Sequence, residues 1–313
     1  DVAATNGVVH VIDAVLVPPS ITPIVGTIVA PAYFNKNFST LIAAVKAASP
    51  TVLSTLLNSS KKTLFAPTNA AFTAAGINNL PSAAVLDAVL TYHAIPSEVR
   101  ASAIANGSSA PTTLNGKIYL SKGTAGVFIN GSTKVTATDI VASNGVVHVI
   151  DRTLMPPSQT IAQIATASAN ASSNPQFTQL VAALARTEGQ GANDLLAAVS
   201  SAQSNLTVFA PTDAAFQQLY TALGVSGVND IPLNTLIAVL KHHVVGNRVF
   251  STDLPSGPVT TLNGNVTVNL SDNPPSVTGS SGASNKANLQ TSLLNIHATN
   301  GVIHAIDRVL VPN

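Results

Sequence analysis

The chain has 313 residues, a length that predicts two domains at roughly 150 residues per domain. Only 9% of the residues are charged, with 14 Lys and Arg against 13 Asp and Glu, and no basic run reaches three residues, so the sequence excludes a nucleic-acid binder. A hydrophobic content of 46% and a mean hydropathy of +0.36 argue against disorder. The absence of cysteine excludes a disulfide scaffold, thiolate zinc and thiol catalysis.

The most hydrophobic region of the chain predicts no membrane span. It covers residues 8–34 and is interrupted by Asp13 and by four prolines. A spanning helix needs about 20 consecutive apolar residues, and no window of this chain comes close to that length without a break.

Internal repeats determine the organisation of the chain. Three segments share the pattern Asn-Gly-Val-Val/Ile-His followed by an aspartate: residues 1–13, 139–151 and 295–307. Two further pairs of segments match in the same order: residues 63–72 with 207–216, and residues 113–116 with 261–264. The same order of matched segments in both halves indicates one structural unit that is built twice.

These repeats predict two whole units, residues 20–157 and 158–313. Residues 1–19 carry only the last of the matched segments, so we interpret them as the C-terminal tail strand of a preceding unit. Proline pairs follow this segment at Pro18 and at Pro156, and they predict short, stiffened linkers at the junctions.

Within each unit, helices are predicted first. Apolar residues recur at helical spacing over residues 38–57 and 177–196, which indicates amphipathic helices. Residues 64–67 form a predicted short strand that ends in proline. A further helix is predicted over residues 81–93, with its counterpart over residues 232–243.

After the helices, the hydrophobic period falls to two. Residues 116–120, 126–131, 134–137 and 144–151 alternate as strands do, and Asn-Gly turns lie between them. Helices followed by antiparallel strands predict an α+β unit.

The segments that match between the halves resemble the fasciclin-like domain family. The block Thr-Leu-Phe-Ala-Pro-Thr-Asn-Ala-Ala-Phe at residues 63–72 is similar to its first hallmark box, and Asn-Gly-Val-Val-His-Val-Ile-Asp at residues 144–151 is similar to its second. Tyr92-His93 lies where the family has a Tyr-His motif, with His242-His243 as its counterpart. The resemblance implies tandem fasciclin-like units, each a β-wedge of mostly antiparallel strands flanked by helices. It also implies an extracellular adhesion or matrix module.

The pairing of His148 with Asp151 invites comparison with acid-base machinery. Residues i and i+3 of a strand point to opposite faces, so we interpret His148 as a packed, hydrogen-bonded core residue and Asp151 as a turn anchor. Asn144-Gly145 is the predicted turn that sets the register of this strand. The matched residues with a predicted structural role are Thr68, Asn69, Thr212, Asp213, Asn144, Gly145, His148, Asp151, Asn300, Gly301, His304, Asp307 and His243.

Two pairs of residues are candidate adhesion residues. The resemblance implies a role in integrin recognition for Asp139-Ile140, just before the second box, and for Tyr92-His93. The second unit has Asn295 and His242 at the matching positions, so only the first unit carries both pairs. The alternative is that Asp139 is a turn or cap residue and that Tyr92-His93 is a packing pair at a helix end.

The sequence predicts no enzyme, no cofactor and no metal site. The chain contains neither a Gly-x-Ser-x-Gly elbow nor a phosphate-binding glycine loop followed by Lys-Ser/Thr. Adjacent residues of a helix point about 100° apart, so His242 and His243 cannot both bind one metal ion from the same face.

Eight Asn-x-Ser/Thr sequons occur, and several are expected by chance in a chain so rich in these residues. They permit glycosylation only if the host performs it. Asn130 lies in a predicted turn and is the more accessible kind of site. The candidate glycosylation sites are Asn130, Asn106, Asn205 and Asn265.

The first hypothesis for function is an extracellular structural or adhesive protein, secreted or at the cell surface, that belongs to a longer array or filament. Its partners would be other copies of itself, further fasciclin-like units, or a cell-surface or matrix protein or glycan. The second hypothesis is a binding module for a small molecule, glycan or lipid in a groove of the fold. A concave apolar pocket with a few convergent polar groups would distinguish the second hypothesis from the first.

Overall fold

The structure is a computed structural model that describes residues 1–13, 15–282 and 285–313. Its contacts divide the chain into two compact units. Unit 1 consists of Asp1–Ile104, Pro111–Lys117 and Lys134–Leu154, and unit 2 consists of Ala105–Ala110, Ile118–Thr133 and Met155–Asn313. The bounds 20–157 and 158–313 remain a proposal for the repeats, since contact places two short segments of the first repeat in unit 2.

From residue 30 onward, helices interrupted by a single strand precede a run of strands in each half. The helices are α1 (Ala30–Tyr33), α2 (Ser39–Ala47), α3 (Pro50–Leu57), α4 (Asn69–Ala74), α5 (Ala83–Tyr92), α6 (Ile161–Ala169), α7 (Thr178–Ala185), α8 (Leu195–Ser200), α9 (Asp213–Leu223) and α10 (Leu233–His242). The strands of the first half are β1 (Val2–Ala4), β2 (Gly7–Val9), β3 (Lys62–Pro67), β4 (Ala94–Ile95), β5 (Gly107–Ser109), β6 (Thr112–Thr113), β7 (Gly116–Lys117), β8 (Leu120–Gly123), β9 (Gly126–Ile129), β10 (Thr133–Ala142) and β11 (Gly145–Ile150). Those of the second half are β12 (Leu206–Pro211), β13 (Val244–Val245), β14 (Gly257–Thr260), β15 (Asn265–Asn269), β16 (Ser276–Thr278), β17 (Lys286–Asn288), β18 (Ile296–Ala298) and β19 (Gly301–Ile306).

The helix predicted over residues 38–57 is two helices. α2 ends at Ala47, α3 begins at Pro50, and the backbone of Ser49 between them is extended. Proline has no N–H to donate and forces the preceding residue out of the helical region, so the break follows from the sequence. The second predicted helix is also two helices, α7 and α8. Here the break contains no proline but falls at the glycine-rich segment 189–191, where the sequence predicts it and where Gly189 and Gly191 both have positive φ.

No single helix of the described ranges combines the length and the hydrophobicity needed to cross a membrane. The segments Lys36–Ala47 and Pro50–Leu57 together meet those two criteria, but they are bent by 119°.

The sheet of unit 1 is centred on two parallel strands. β3 is buried at every residue and runs parallel to β11, with Lys62 opposite Gly145 and Pro67 opposite Ile150. β4 pairs antiparallel with β3, and β10 pairs antiparallel with β11. Strands buried on both faces are rich in apolar residues, and Leu64, Phe65 and Ala66 of β3 and the valines of β11 fit that rule. Leu64 and Val147 belong to the core that includes Leu41 of α2.

Unit 2 repeats this arrangement with β12 parallel to β19, β13 beside β12 and β18 beside β19. A second sheet of unit 2 has the order β14-β15-β16-β17, and all of its pairs are antiparallel. β5, β8 and β9 form a further antiparallel set in unit 2. The prediction of an α+β fold with mostly antiparallel strands flanked by helices is confirmed.

Candidate functional site

The residues that match between the halves form buried polar networks. His93 and His243 are 1% and 2% exposed and lie at the C-terminal ends of α5 and α10. Each Nδ1 contacts the carbonyl oxygen four residues earlier, at 2.7 Å. Each Nε2 accepts a hydrogen bond from a backbone N–H, that of Leu154 at 2.9 Å or that of Leu310 at 2.8 Å. An acceptor Nε2 requires the neutral ring, and burial lowers the pKa of both histidines to about 4.

His148 and His304 occupy the middle of the central strands. The Nε2 of each lies 2.9 Å from a loop carbonyl, that of Val99 or that of Val249. Each Nδ1 accepts a hydrogen bond from the backbone N–H of Asp139 or Asn295, at 3.2 and 3.3 Å. Burial lowers the pKa of His304 to about 4. Each ring therefore links a central strand to a loop by hydrogen bonds, and both of its nitrogens already have a backbone partner.

The aspartates of the second box have partners of their own. Asp151 accepts a hydrogen bond from the backbone N–H of Lys134 at 2.7 Å. Asp307 accepts from the backbone N–H and the side-chain amide of Asn288, at 2.6 and 2.8 Å. Because His148 and Asp151 bind different groups, the structure does not bring them together as an acid-base pair.

Asn144 and Asn300 have a role that the sequence did not reveal. Both lie in turns between paired strands, as predicted, and both are buried, at 3% and 0% exposure. The Oδ1 of Asn144 accepts from the N–H of Ile28 at 2.8 Å, and its Nδ2 donates to the carbonyls of Leu56 and Asn58, both at 2.9 Å. Asn300 makes the equivalent three bonds in unit 2. The signal available in the sequence was the recurrence of Asn in every copy of the segment.

The glycine that follows allows two strands to approach closely. Gly145 has φ +147°, and a Cβ there would lie 1.9 Å from the carbonyl oxygen of Lys62. A Cβ on Gly301 would lie 2.2 Å from the carbonyl oxygen of Leu206. The Asn-Gly pair therefore fixes where the parallel pair of strands begins.

The predicted helix starts of the first box are capped. Thr68 accepts a hydrogen bond from the N–H of Ala71 at 3.2 Å, and Thr212 accepts from that of Ala215 at 3.3 Å. The next residue joins this helix to the neighbouring one. Asn69 accepts from the N–H of Thr40, and Asp213 accepts from the hydroxyl of Thr178.

The candidate adhesion residues are largely internal. Tyr92 and His93 are each 1% exposed, and the Tyr92 hydroxyl donates to the carbonyl of Lys117 at 2.9 Å. Asp139 is half-buried at φ +59°, and its carboxylate accepts from the N–H of Ala101 at 3.0 Å. Ile140 packs against the core of unit 1. The structure therefore gives the Tyr-His pair a packing role and leaves it without a surface through which to touch a partner.

The candidate glycosylation sites differ in exposure. Asn106, Asn205 and Asn265 are exposed. Asn130 is half-buried, although we predicted an accessible turn, and its Oδ1 accepts from the N–H of Tyr119 at 3.0 Å. The described part of the chain contains no group of three His, Asp or Glu side chains that could hold a metal ion.

The most exposed apolar segment is the hairpin of β1 and β2. Every residue of both strands is exposed, and Val2 lies opposite Val9. The apolar side chains continue beyond β2, where Val11 is 84% exposed and Leu16 is 81% exposed. Monomeric proteins rarely leave so much contiguous apolar surface uncovered.

One apolar cavity in the described part of the chain is enclosed but too small for a ligand. It lies in unit 2 beside Phe177 and Leu240 and has a volume of about 20 Å³. One water molecule would fill it.

The family model of the fasciclin domain matches the chain twice, over residues 36–156 and 175–312. Protein sll1483 of Synechocystis sp. is 40% identical over 138 residues, which are 42% of this chain and 74% of that protein. Periostin of Homo sapiens is 28% identical over 266 residues, which are 82% of this chain and 28% of periostin. Transforming growth factor-beta-induced protein ig-h3 of Oryctolagus cuniculus is 29% identical over 326 aligned residues, which are 100% of this chain and 41% of that protein.

A FAS1 domain pair from the insect cell adhesion molecule fasciclin I aligns over 88% of this chain and 97% of its own, with a TM-score of 0.42 and 19% identity. The matched regions cover less than half of the length of periostin and of ig-h3.

Proposed function

Because the chain belongs to the fasciclin domain family, we propose that it makes adhesive contacts through its tandem units, and that the β1–β2 hairpin is one of its contact surfaces. Members of this family are secreted or cell-surface adhesion proteins without enzymatic activity, and this chain is extracellular. The partner at the hairpin is a second copy of the chain.

One observation carries this proposal. Residues 6–12 have the same sequence as residues 144–150, which contain β11. In β11, Val146 and Val147 are 0% and 1% exposed, whereas their counterparts Val8 and Val9 are 57% and 55% exposed. Burying a valine side chain stabilises a contact by about 1.5 kcal/mol or more. The hairpin therefore offers a surface that this fold elsewhere covers completely.

The backbone of β2 supports the same conclusion. β11 is hydrogen-bonded on both sides, to β3 and to β10, whereas β2 has only β1 as a partner in the described structure. An edge strand with free N–H and C=O groups and apolar side chains favours pairing with another chain. In this proposal, β2 pairs with the hairpin of a second copy of the chain.

Sedimentation velocity over a range of protein concentrations tests the proposal. We expect the chain to associate as its concentration rises, and we expect the pair of substitutions Val8→Asp and Val9→Asp to abolish that association. Val141→Asp is the matched control, because Val141 is a strand valine of unit 1 that is 60% exposed. A chain that stays monomeric at every concentration, or that associates equally with the hairpin substitutions, contradicts the proposal.

A further inference from the structure

An aromatic and basic cleft lies on the helical side of unit 1. It has a volume of about 500 Å³ and is lined by the segment from Ala32 to Lys36, by Ser39, and by Ile42, Ala43 and Lys46 of α2. Small-ligand sites have volumes of about 300–1,000 Å³, so the cleft is large enough for a few sugar rings.

The rings in this cleft are unusually accessible. Phe34 is 60% exposed, and it is the only aromatic side chain among the large hydrophobic residues that are exposed in the described structure. Tyr33 meets it edge to face with the ring centroids 5.3 Å apart. The Nζ of Lys46 lies 5.7 Å from the centroid of the Tyr33 ring. Phe34 is not among the residues that form or pack against the main hydrophobic core of unit 1.

The two charged residues that line the cleft, Lys36 and Lys46, have the same sign. Residues 14–86 contain four lysines and no Asp or Glu. Lys62 is buried, and Lys61 lies 3.6 Å from Glu98. Lys36 and Lys46 take part in no ion pair of the described residues, and both line the cleft. Their positive field is therefore available to an anionic partner.

Unit 2 shows that the fold does not require these side chains. Ala32 and Ala165 are equivalent buried residues, as are Phe38 and Phe177. Between those anchors unit 1 has Tyr33, Phe34 and Lys36, whereas residues 166–176 of unit 2 include no aromatic and no charged residue. Counted from the same phenylalanines, Lys46 corresponds to Ala185. The aromatic and basic side chains belong to unit 1 alone.

We propose that this cleft binds an acidic polysaccharide, with a sugar ring stacked on Phe34 and its carboxylate or sulfate groups at Lys36 and Lys46. The C–H face of a sugar carries slight positive charge and suits the negative face of an aromatic ring. Two ammonium groups in one cleft suit a chain that carries anionic groups at regular intervals. The proposal adds a partner to the adhesive function, and it does not depend on association through the hairpin.

A membrane surface fits the same observations less well. Two lysines contribute about 1 kcal/mol each toward an anionic bilayer, and stable membrane anchoring requires a larger apolar surface than one exposed ring.

Titration calorimetry with a heparin tetrasaccharide tests the proposal. We expect the intact chain to bind, and we expect Lys36→Ala with Lys46→Ala to weaken binding at least about tenfold and to reduce the slope of log affinity against log salt by about two. Phe34→Ser should weaken binding about fivefold or more and leave the salt slope unchanged, because stacking involves no counterion release.

Matched controls separate the cleft from general charge and from folding. Lys117→Ala with Lys134→Ala removes the same charge from exposed positions outside the cleft, and Val85→Ser removes an exposed apolar side chain from α5. Both should leave binding unchanged, and thermal melting should show all variants folded. Absence of binding by the intact chain, or equal loss in the Lys117/Lys134 control, overturns the proposal. So does preferential binding of polyglutamate or of phosphatidylserine vesicles, which would identify a peptide or membrane site.

The same variants distinguish the two proposals. Substitutions in the cleft should leave sedimentation unchanged without glycan, and substitutions in the hairpin should leave heparin binding unchanged. A negative result for the hairpin therefore does not contradict the cleft proposal, and a negative result for the cleft does not contradict the hairpin proposal.

Discussion

At the scale of single residues, the chemistry of this chain is devoted to internal structure. The matched histidines, asparagines and aspartates bind backbone groups of neighbouring segments. Each supplies a hydrogen-bond partner to backbone groups that lie outside regular helix or sheet pairing. These residues could be identified from the sequence because they recur at matching positions in the two halves. Their partners could not be predicted, because those partners lie in loops such as the one at Val99.

The buried histidines make stability depend on pH. Burial lowers the pKa of His93, His243 and His304 to about 4, and burial with the nearby Arg248 charge lowers that of His297 to about 3. In the unfolded chain these rings titrate near pH 6.5. Between those values the unfolded state binds more protons, so stability is full above about pH 6.5 and falls as the pH drops toward 4.

Each such histidine steepens the loss by up to about 1.4 kcal/mol per pH unit. Unit 2 holds three of the four, so we expect its unfolding transition to shift further than that of unit 1 when the pH changes from 7 to 5. Calorimetry at a series of pH values measures this directly. A melting temperature that rises as the pH falls through this window would contradict the neutral, buried rings.

Asn144 provides a second test at this scale. Asn144→Ala removes the partner of two buried backbone groups and of one partly buried carbonyl, so we expect it to lower the free energy of unfolding of unit 1 by about 2 kcal/mol or more. The control is Asn106→Ala at an exposed position, where we expect a change within about 0.5 kcal/mol. Urea denaturation measures both. Similar values for the two variants would exclude Asn144 as a structural centre.

At the scale of elements, the sequence predicted helices and strands well where local rules decide. The helix at residues 81–93 is observed as α5, and Thr68 and Thr212 cap helices as expected. Pro50 divides a predicted helix by the same local rules. The parallel pairing of β3 with β11 was not predictable, because nothing local in either strand specifies a partner so distant in the chain.

Identical sequences in different surroundings test how far burial determines the role of an element. Val147→Asp places a carboxylate in the core of unit 1, and we expect it to cost more than about 4 kcal/mol and to unfold that unit. Val9→Asp changes the same residue of the same heptapeptide where it is 55% exposed, and we expect the stability of unit 1 to stay unchanged. Circular dichroism on heating compares the two. Equal destabilisation would mean that the hairpin belongs to the core.

At the scale of the whole molecule, the family resemblance predicted the class of protein, and the comparisons confirm it. The surfaces of contact were not predictable in the same way. Tyr92 and His93 were candidates because of their place in a motif, and the structure buries them. Phe34 and the hairpin became candidates only when exposure was known, since an apolar residue in the sequence is by default a core residue.

Hydrogen–deuterium exchange at low and high protein concentration tests the central claim, that the β1–β2 hairpin is a contact surface between copies. If β2 pairs with a second copy, its free-edge amides acquire hydrogen bonds, and exchange over residues 1–13 should slow as the concentration rises while exchange in β11 stays constant. Equally fast exchange of residues 1–13 at every concentration would contradict the account.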